Sequence, residues 1–76
     1  MKITVIGCGR WGSFIAWYLD KIKHQVTLYG RESSENMQQF LSTRSNGLVD
    51  LPDTMELTTS LEHIKEADAI VISINS

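Results

Sequence analysis

This chain contains little of what a secreted or membrane-spanning protein of its size requires. Its 76 residues include one cysteine, Cys8, so an internal disulfide cannot form. The apolar runs are far shorter than the roughly 18–20 residues that cross a bilayer. No basic start followed by an apolar segment resembles a secretory signal. These absences predict a soluble protein of the reducing cytoplasm, without a membrane span.

An excess of positive charge is also absent. Seven Lys and Arg stand against nine Asp and Glu, which gives a formal net charge of −2. Nucleic-acid binding needs a clustered basic surface that neutralises phosphates, so no nucleic-acid partner is expected. His24, His63 and the carboxylates show no spacing typical of a metal site or of a catalytic pair. No catalytic or metal-ligating residue is therefore predicted in this chain.

What the chain does contain is an alternation of β-branched segments with amphipathic ones. Residues 2–6 are β-branched and end against glycine, which predicts a buried strand. Apolar residues recur every three or four positions from Trp11 to about Ile22, which predicts a helix whose Ile15–Ile22 face packs on a sheet. The further predicted elements are a strand at 25–29, a helix capped by Ser33 or Ser34 and ending near Arg44, a strand at 55–58, a short helix at 61–66 with capping-box spacing between Thr59 and Glu62, and a strand at 69–74.

Alternating strands and helices predict the fold class, an α/β Rossmann-type β-α-β-α-β-α-β arrangement with a parallel sheet. In the usual doubly wound order the strands lie 3-2-1-4, and a ligand crevice opens where the first and fourth strands end. Residues 1–76 are short for such a domain. They are therefore expected to form its N-terminal part, without a catalytic domain.

The glycine-rich segment Gly7-Cys8-Gly9-Arg10-Trp11-Gly12 lies between the first strand and the first helix. In that position the pattern is typical of a site for the pyrophosphate of NAD or NADP. Gly7 allows the tight turn, Gly9 lets the phosphates approach the backbone, and Gly12 lets the helix lie close to the strand. Cys8 is expected to be a small packing residue. The alternative is an ordinary tight turn without a ligand.

The end of the second strand bears on the choice of cofactor. NAD-specific folds normally place Asp or Glu there, to bind the ribose hydroxyls. This chain has Gly30-Arg31, so we expect glycine to leave space for a 2′-phosphate and the guanidinium to bind it. NADP is therefore favoured over NAD. Glu32, one residue later, would restore NAD preference if it took that position.

The chain resembles the bacterial-type NAD(P)-dependent glycerol-3-phosphate dehydrogenases over its whole length. The matching segments are Lys2–Gly7, Trp11-Gly12, Val26–Arg31, Arg44-x-Asn46, Leu51-Pro52, Thr58–Leu61, Ala67-Asp68, Ile70–Ile72 and Ser76. The resemblance implies that Arg10, Trp11 and Arg31 contact the dinucleotide, with Asn75-Ser76 toward the nicotinamide. It further implies an enzyme that can form a homodimer, reduces dihydroxyacetone phosphate with NAD(P)H and feeds phospholipid synthesis. The catalytic lysine belongs to a later part, so this chain alone is expected to bind nucleotide at most.

Some positions depart from that family's pattern and leave alternatives open. Arg10 stands where a small serine is common, Lys23 where glycine is usual, and Asn75 where proline is expected. Another Rossmann dehydrogenase, such as ketopantoate reductase or prephenate dehydrogenase, is one alternative. A regulatory nucleotide-sensing domain of the potassium-channel type is another, but it predicts an acidic residue where this chain has Gly30-Arg31.

Overall fold

In the computed structural model, which describes residues 1–62 and 64–74, four parallel strands form one sheet. The elements in chain order are β1 (Lys2–Ile6), α1 (Arg10–Lys21), β2 (Gln25–Tyr29), α2 (Glu35–Thr43), β3 (Glu56–Thr58), a 3-10 turn (Ile64–Glu66) and β4 (Ala69–Ile72). The strands lie in the order β3-β2-β1-β4. The predicted 3-2-1-4 order is therefore confirmed. No helix in the described part of the chain is long and apolar enough to cross a membrane.

The hydrophobic core lies between one face of the sheet and the two helices. Val5 and Leu28 face each other in the β1–β2 register, and neither is exposed to solvent. Met37 and Phe40 of α2 are equally inaccessible. The buried apolar residues are Ile3, Val5, Cys8, Ala16, Val26, Leu28, Met37, Phe40, Leu51 and Met55. Burying a Val, Leu, Ile, Met or Phe side chain stabilises a fold by about 1.5–3 kcal/mol.

The first helix ends at Lys21, next to the predicted end near Ile22. Ile22 is the C-cap of α1, and the chain then turns through Lys23, whose φ is +80°. This turn carries Ile22 away from the sheet, and its side chain is 45% exposed. The prediction that Ile22 packs on the sheet is therefore wrong, whereas Ala16 is fully buried there.

The third predicted helix is replaced by a turn. Among the described residues of this stretch, Ile64–Glu66 is helical, as one 3-10 turn. The capping box of Thr59 and Glu62 does not form, because the Ser60 hydroxyl oxygen accepts from the Glu62 N–H at 3.1 Å and the Thr58 hydroxyl oxygen accepts from the Ser60 N–H at 3.0 Å. Hydroxyl groups that bind nearby backbone in this way compete with helix formation. His63 lies outside the described residues.

The fourth strand is also shorter than predicted, and its outer face is uncovered. It ends at Ile72 instead of residue 74. One further ladder bond follows, from the Ser73 N–H to the Ile6 carbonyl at 2.8 Å. Ile70 and Ile72 alternate with the half-buried Val71 and are 46% and 67% exposed. In the described chain, the helices therefore cover one side of the sheet.

Candidate functional site

The carboxyl ends of β1, β2 and β4 meet at one end of the sheet. The ladder continues past each strand, with the Gly7 N–H donating to the Tyr29 carbonyl at 2.9 Å and the Ser73 N–H donating to the Ile6 carbonyl at 2.8 Å. From β1 the chain passes through α1 to β2, which lies on one side of β1, whereas β4 lies on the other side of β1. This is the point where strand order reverses, and ligands of open α/β sheets bind at such points.

Gly7 makes the turn out of β1, and its surroundings admit no other residue. Its φ is +116°, a conformation that side chains rarely adopt. A β-carbon at this position would also lie 2.0 Å from the Ser73 carbonyl oxygen. The loop therefore passes directly over the end of β4. The predicted structural role of Gly7 in a tight turn is confirmed.

Gly12 allows α1 to approach the end of β1 closely. A β-carbon on Gly12 would lie 1.9 Å from the Gly7 carbonyl oxygen, which belongs to the backbone and has no room to move. The helix therefore begins against the loop itself. The predicted role of Gly12 in close packing is confirmed, while its part in binding a cofactor remains a prediction.

In the described part of the chain, α1 begins after a residue that offers no side-chain cap. Gly9 is the N-cap residue and makes no side-chain hydrogen bond, and the first turn of α1 contains no acidic residue. The first N–H groups of a helix have no acceptor within it, and the helix dipole places partial positive charge there. These features fit the pyrophosphate of a dinucleotide, which is an anion with several acceptor oxygens.

Arg10 and Trp11 lie on the first turn of α1, beside the loop. Both are exposed, and Trp11 is exposed over 61% of its surface. The Trp11 ring meets Phe14 edge-on, with ring centroids 6.5 Å apart. A cation and a large aromatic ring therefore border the uncapped helix end. Ser76, the remaining residue predicted on this side of the crevice, lies outside the described residues, as does Asn75.

Cys8 packs inside the loop, as expected for a small residue there. It is 6% exposed, and its Sγ atom lies 3.3 Å from the hydroxyl oxygen of Ser34. The same hydroxyl oxygen accepts from the Met37 N–H at 3.2 Å and so caps α2. Cys8 thus joins the glycine loop to the start of the second helix.

Gly30 does not leave space for a ligand, contrary to the expectation from the sequence. It is buried, and a β-carbon would lie 2.5 Å from the Cys8 Sγ atom and 2.8 Å from the β-carbon of Met37. The space that a side chain would need is filled by the protein. Cys8 lies in the glycine loop and Met37 in α2, so no pattern within a single element reveals this contact. The side chains of Arg31 and Glu32, which follow it, are both exposed.

Arg44 is a structural residue that local pattern analysis did not single out. It adopts a left-handed conformation, with φ of +62°, and ends α2. Its guanidinium Nη1 donates to the carbonyl oxygens of Pro52 and Met55, each at 2.7 Å. One side chain therefore closes the segment between α2 and β3. The Arg-x-Asn resemblance was the signal in the sequence that pointed to it.

Asn46 connects that same segment to the glycine loop. Its Nδ2 atom lies 3.4 Å from the hydroxyl oxygen of Ser13 in α1. The Ser13 hydroxyl in turn lies 2.8 Å from the Gly9 carbonyl oxygen and 3.1 Å from that of Arg10. Pattern analysis predicted only a loop for this segment. The contact spans 33 positions, which no periodicity detects.

A separate cleft lies away from the glycine loop. It has a volume of about 300 Å³ and is lined by the first residues of β1 and β2 and by the connection after β3, including Ile64 and Ala67. Because it lies beside the amino ends of the strands, it is at the opposite end of the sheet from the crevice. It is therefore not the candidate site.

The parallel sheet with its glycine-rich turn at the switch point defines the class of Rossmann-type dinucleotide-binding folds. A family model described as "NAD-dependent glycerol-3-phosphate dehydrogenase N-terminus" matches residues 2–76, and the chain belongs to this family. The predicted resemblance is confirmed. Family membership also decides against the alternatives that the sequence left open.

Individual relatives agree with the family. The chain is 38% identical over 80 residues to the glycerol-3-phosphate dehydrogenase [NAD(P)+] of Thermoanaerobacter sp. (strain X514), covering 100% of this chain and 24% of that protein. It is 35% identical over 75 residues to the enzyme of that name from Orientia tsutsugamushi (strain Boryong), covering 95% and 23%. The chain thus spans about a quarter of the length of these relatives.

A solved structure supports the fold. The crystal structure of glycerol-3-phosphate dehydrogenase from Coxiella burnetii superposes with a TM-score of 0.82 at 22% sequence identity, over 96% of this chain and 24% of that one. At this level of identity the likeness concerns the arrangement of strands and helices. It agrees with the parallel β3-β2-β1-β4 sheet.

Proposed function

We propose that the chain binds NAD or NADP at the glycine loop and forms the nucleotide-binding start of a glycerol-3-phosphate dehydrogenase. The observation that carries this proposal is the uncapped N-terminus of α1, with Gly9 as its N-cap, at the point where strand order reverses. In the whole protein, NAD(P)H held here would reduce dihydroxyacetone phosphate to sn-glycerol 3-phosphate. The groups that bind and protonate that substrate are assigned to the rest of the protein.

The backbone of the loop supplies most of the proposed contacts. N–H groups of the first turn of α1 donate to the pyrophosphate oxygens, and a hydrogen bond to a charged group contributes about 1.5–3 kcal/mol. The helix dipole adds about 0.3–1 kcal/mol. The exposed Arg10 guanidinium and Trp11 ring contact the cofactor at the rim of the crevice. Because Gly9 has no side chain, the phosphates can reach the backbone.

The proposal also covers the preferred cofactor, the oligomeric state and the location in the cell. We assign NADP preference to Arg31, whose exposed side chain follows the end of β2. A permanently charged, planar guanidinium suits a 2′-phosphate. A homodimer and a location in the cytoplasm complete the proposal, on the grounds of the resemblance and of the composition.

Replacing Gly9 with valine tests the loop directly. The backbone at Gly9, with φ of −71° and ψ of −168°, is one that valine adopts without strain. The fold should therefore persist, while a branched side chain blocks the approach of the phosphates. We expect titration calorimetry to show binding of NADH and NADPH by the unsubstituted chain and none by Gly9→Val.

The control is Ser42→Val, on an exposed position of α2. It introduces the same side chain far from the loop and should bind as the unsubstituted chain does. Circular dichroism should report the same helix content in all three proteins. Equal affinity of Gly9→Val and the unsubstituted chain would show that the loop is not the phosphate site.

A further inference from the structure

The orientation of the Asn46 amide is set by its own loop. Its Oδ1 atom lies 2.9 Å from the backbone N–H of Leu48 and 2.9 Å from that of Val49. Both partners are donors, so this atom must be the oxygen, and the amide nitrogen must point the other way. It points to the Ser13 hydroxyl, at 3.4 Å. Asn46 is therefore a donor to Ser13.

That donor determines where the proton of the Ser13 hydroxyl can go. Ser13 is 1% exposed, so water does not compete for its hydroxyl. The oxygen accepts from Asn46, and its single proton is left for the carbonyl oxygens of Gly9 and Arg10, at 2.8 and 3.1 Å. The Gly9 carbonyl also accepts from the Ser13 backbone N–H at 2.9 Å. One serine thus holds two successive peptide groups.

These two peptide groups carry the donors of the proposed site. In a planar trans peptide the N–H points opposite to the carbonyl of the preceding residue. Fixing the Gly9 carbonyl therefore aims the Arg10 N–H, and fixing the Arg10 carbonyl aims the Trp11 N–H. Both N–H groups lie at the uncapped end of α1, where no helical acceptor is available.

We infer that Ser13 and Asn46 are positioning residues for dinucleotide binding. Asn46 holds the Ser13 hydroxyl in the orientation that fixes the Gly9 and Arg10 carbonyls, and this aims two N–H groups at the pyrophosphate before the cofactor arrives. Donors arranged in advance need not be ordered at the moment of binding. The inference rests on the proposed function, since it concerns the same loop.

Asn46→Asp reverses the direction of one hydrogen bond while keeping the local turn. A carboxylate still accepts from Leu48 and Val49, but it has no proton to give to Ser13. The Ser13 hydroxyl then donates to the carboxylate instead of to the Gly9 and Arg10 carbonyls, and the Gly9 carbonyl keeps its bond from the Ser13 backbone N–H. We expect the Kd for NADH to rise by about 2- to 12-fold, the range that corresponds to one lost hydrogen bond. Circular dichroism and the urea midpoint should stay close to those of the unsubstituted chain.

The added negative charge needs its own control. Leu48→Asp places a carboxylate in the same loop at a position that is 65% exposed, and it keeps the Leu48 backbone N–H that donates to the Asn46 Oδ1 atom. If charge repulsion alone weakened binding, this variant would weaken it as much as Asn46→Asp does. We expect Leu48→Asp to bind NADH with nearly unchanged affinity.

Ser13→Ala completes a double-mutant cycle. It removes the hydroxyl through which Asn46 acts, so it should weaken NADH binding by a similar factor. Adding Asn46→Asp to Ser13→Ala should then have no further effect, because coupled residues are not additive. A residue that merely supports its own loop would give additive losses.

The outcomes separate the two proposals. If the unsubstituted chain binds neither NADH nor NADPH, the proposed function fails, and the positioning role fails with it. If it binds but Ser13→Ala or Asn46→Asp binds equally well, the positioning role is overturned and the proposed function stands. Additive losses in the double variant likewise overturn the role of Asn46 as a residue acting through Ser13.

Discussion

Gly30 and Arg31 follow β2 directly, but they differ in their surroundings. Gly30 is enclosed by Cys8 and Met37, whereas Arg31 is exposed. An acidic side chain at position 30 would disrupt the packing of α2 before it could affect a cofactor. The charge of Arg31 can be removed without such disruption. Cofactor choice is therefore best tested at Arg31.

Arg31→Ala should reduce the preference for NADPH over NADH. In the proposed site the guanidinium would make a charge-assisted contact to the 2′-phosphate of NADPH, a group that NADH lacks. At an exposed position solvent screens this contact, so we expect about a tenfold fall in the ratio of the two affinities. The salt dependence of NADPH binding should also weaken. Calorimetric titrations with both cofactors at two salt concentrations measure these changes.

Lys23→Ala is the matched control for Arg31→Ala. It also removes one exposed positive charge, but at the start of β2 instead of its end. Its affinity ratio should equal that of the unsubstituted chain. If Arg31→Ala also keeps the original ratio, then Arg31 does not select the cofactor, and Glu32→Gln becomes the variant to examine.

At the scale of elements, the segment between α2 and β3 depends on Arg44. The guanidinium donates to two backbone carbonyls at 2.7 Å, and the Leu51 N–H returns a bond to the Arg44 carbonyl, also at 2.7 Å. Leu51 and Met55 lie in the segment that these bonds hold, and both are buried in the core. Arg44 therefore holds two core residues in place through backbone contacts.

Arg44→Ala should lower the free energy of unfolding by about 2–3 kcal/mol, because hydrogen bonds from a charged donor are lost. Arg44→Gly loses the same bonds but adopts the left-handed conformation freely, which recovers about 1 kcal/mol. Urea denaturation followed by circular dichroism gives both values. Equal stability of Arg44→Ala and the unsubstituted chain would show that the two bonds do not stabilise the segment.

Some of the strands and helices could be predicted from the sequence, and others could not. The bounds of β1 and β2 were predicted correctly, since each strand contains β-branched residues and is followed directly by a glycine. Gly7 and Gly12 of the candidate site were predictable as well, because the turn out of β1 and the close approach of α1 require glycine there. The prediction of a helix at 61–66 was wrong, because its capping pattern does not reveal that the hydroxyls of Thr58 and Ser60 compete for the backbone N–H groups.

Contacts between distant segments could not be predicted. The filling of the space beside Gly30 by Cys8 and Met37 depends on how α2 packs against the loop. The Asn46–Ser13 contact depends on the path of a segment without periodicity. Such contacts require the tertiary structure, whereas spacing along the chain reports only on single elements.

For the whole molecule, the decisive feature is that hydrophobic packing lies on one side of the sheet. A chain of 76 residues buries only about 60% of the surface that it exposes when unfolded. Here Ile70 and Ile72 add exposed apolar surface on the other face. The chain is therefore expected to be marginally stable, and any ligand that binds only the folded state raises its unfolding temperature.

The position of β4 beside β1 also has a consequence for the order of folding. Ile3 pairs with Val26 in β2 and with Ala69 in β4, which lies roughly three times as far along the chain. Closing the longer loop costs about 1 kcal/mol more. We therefore expect the β1-α1-β2 unit to assemble first and β4 to join last and open first. Native-state amide exchange should show weaker protection in β4 than in β2, and equal protection in both would mean that the sheet opens as a single unit.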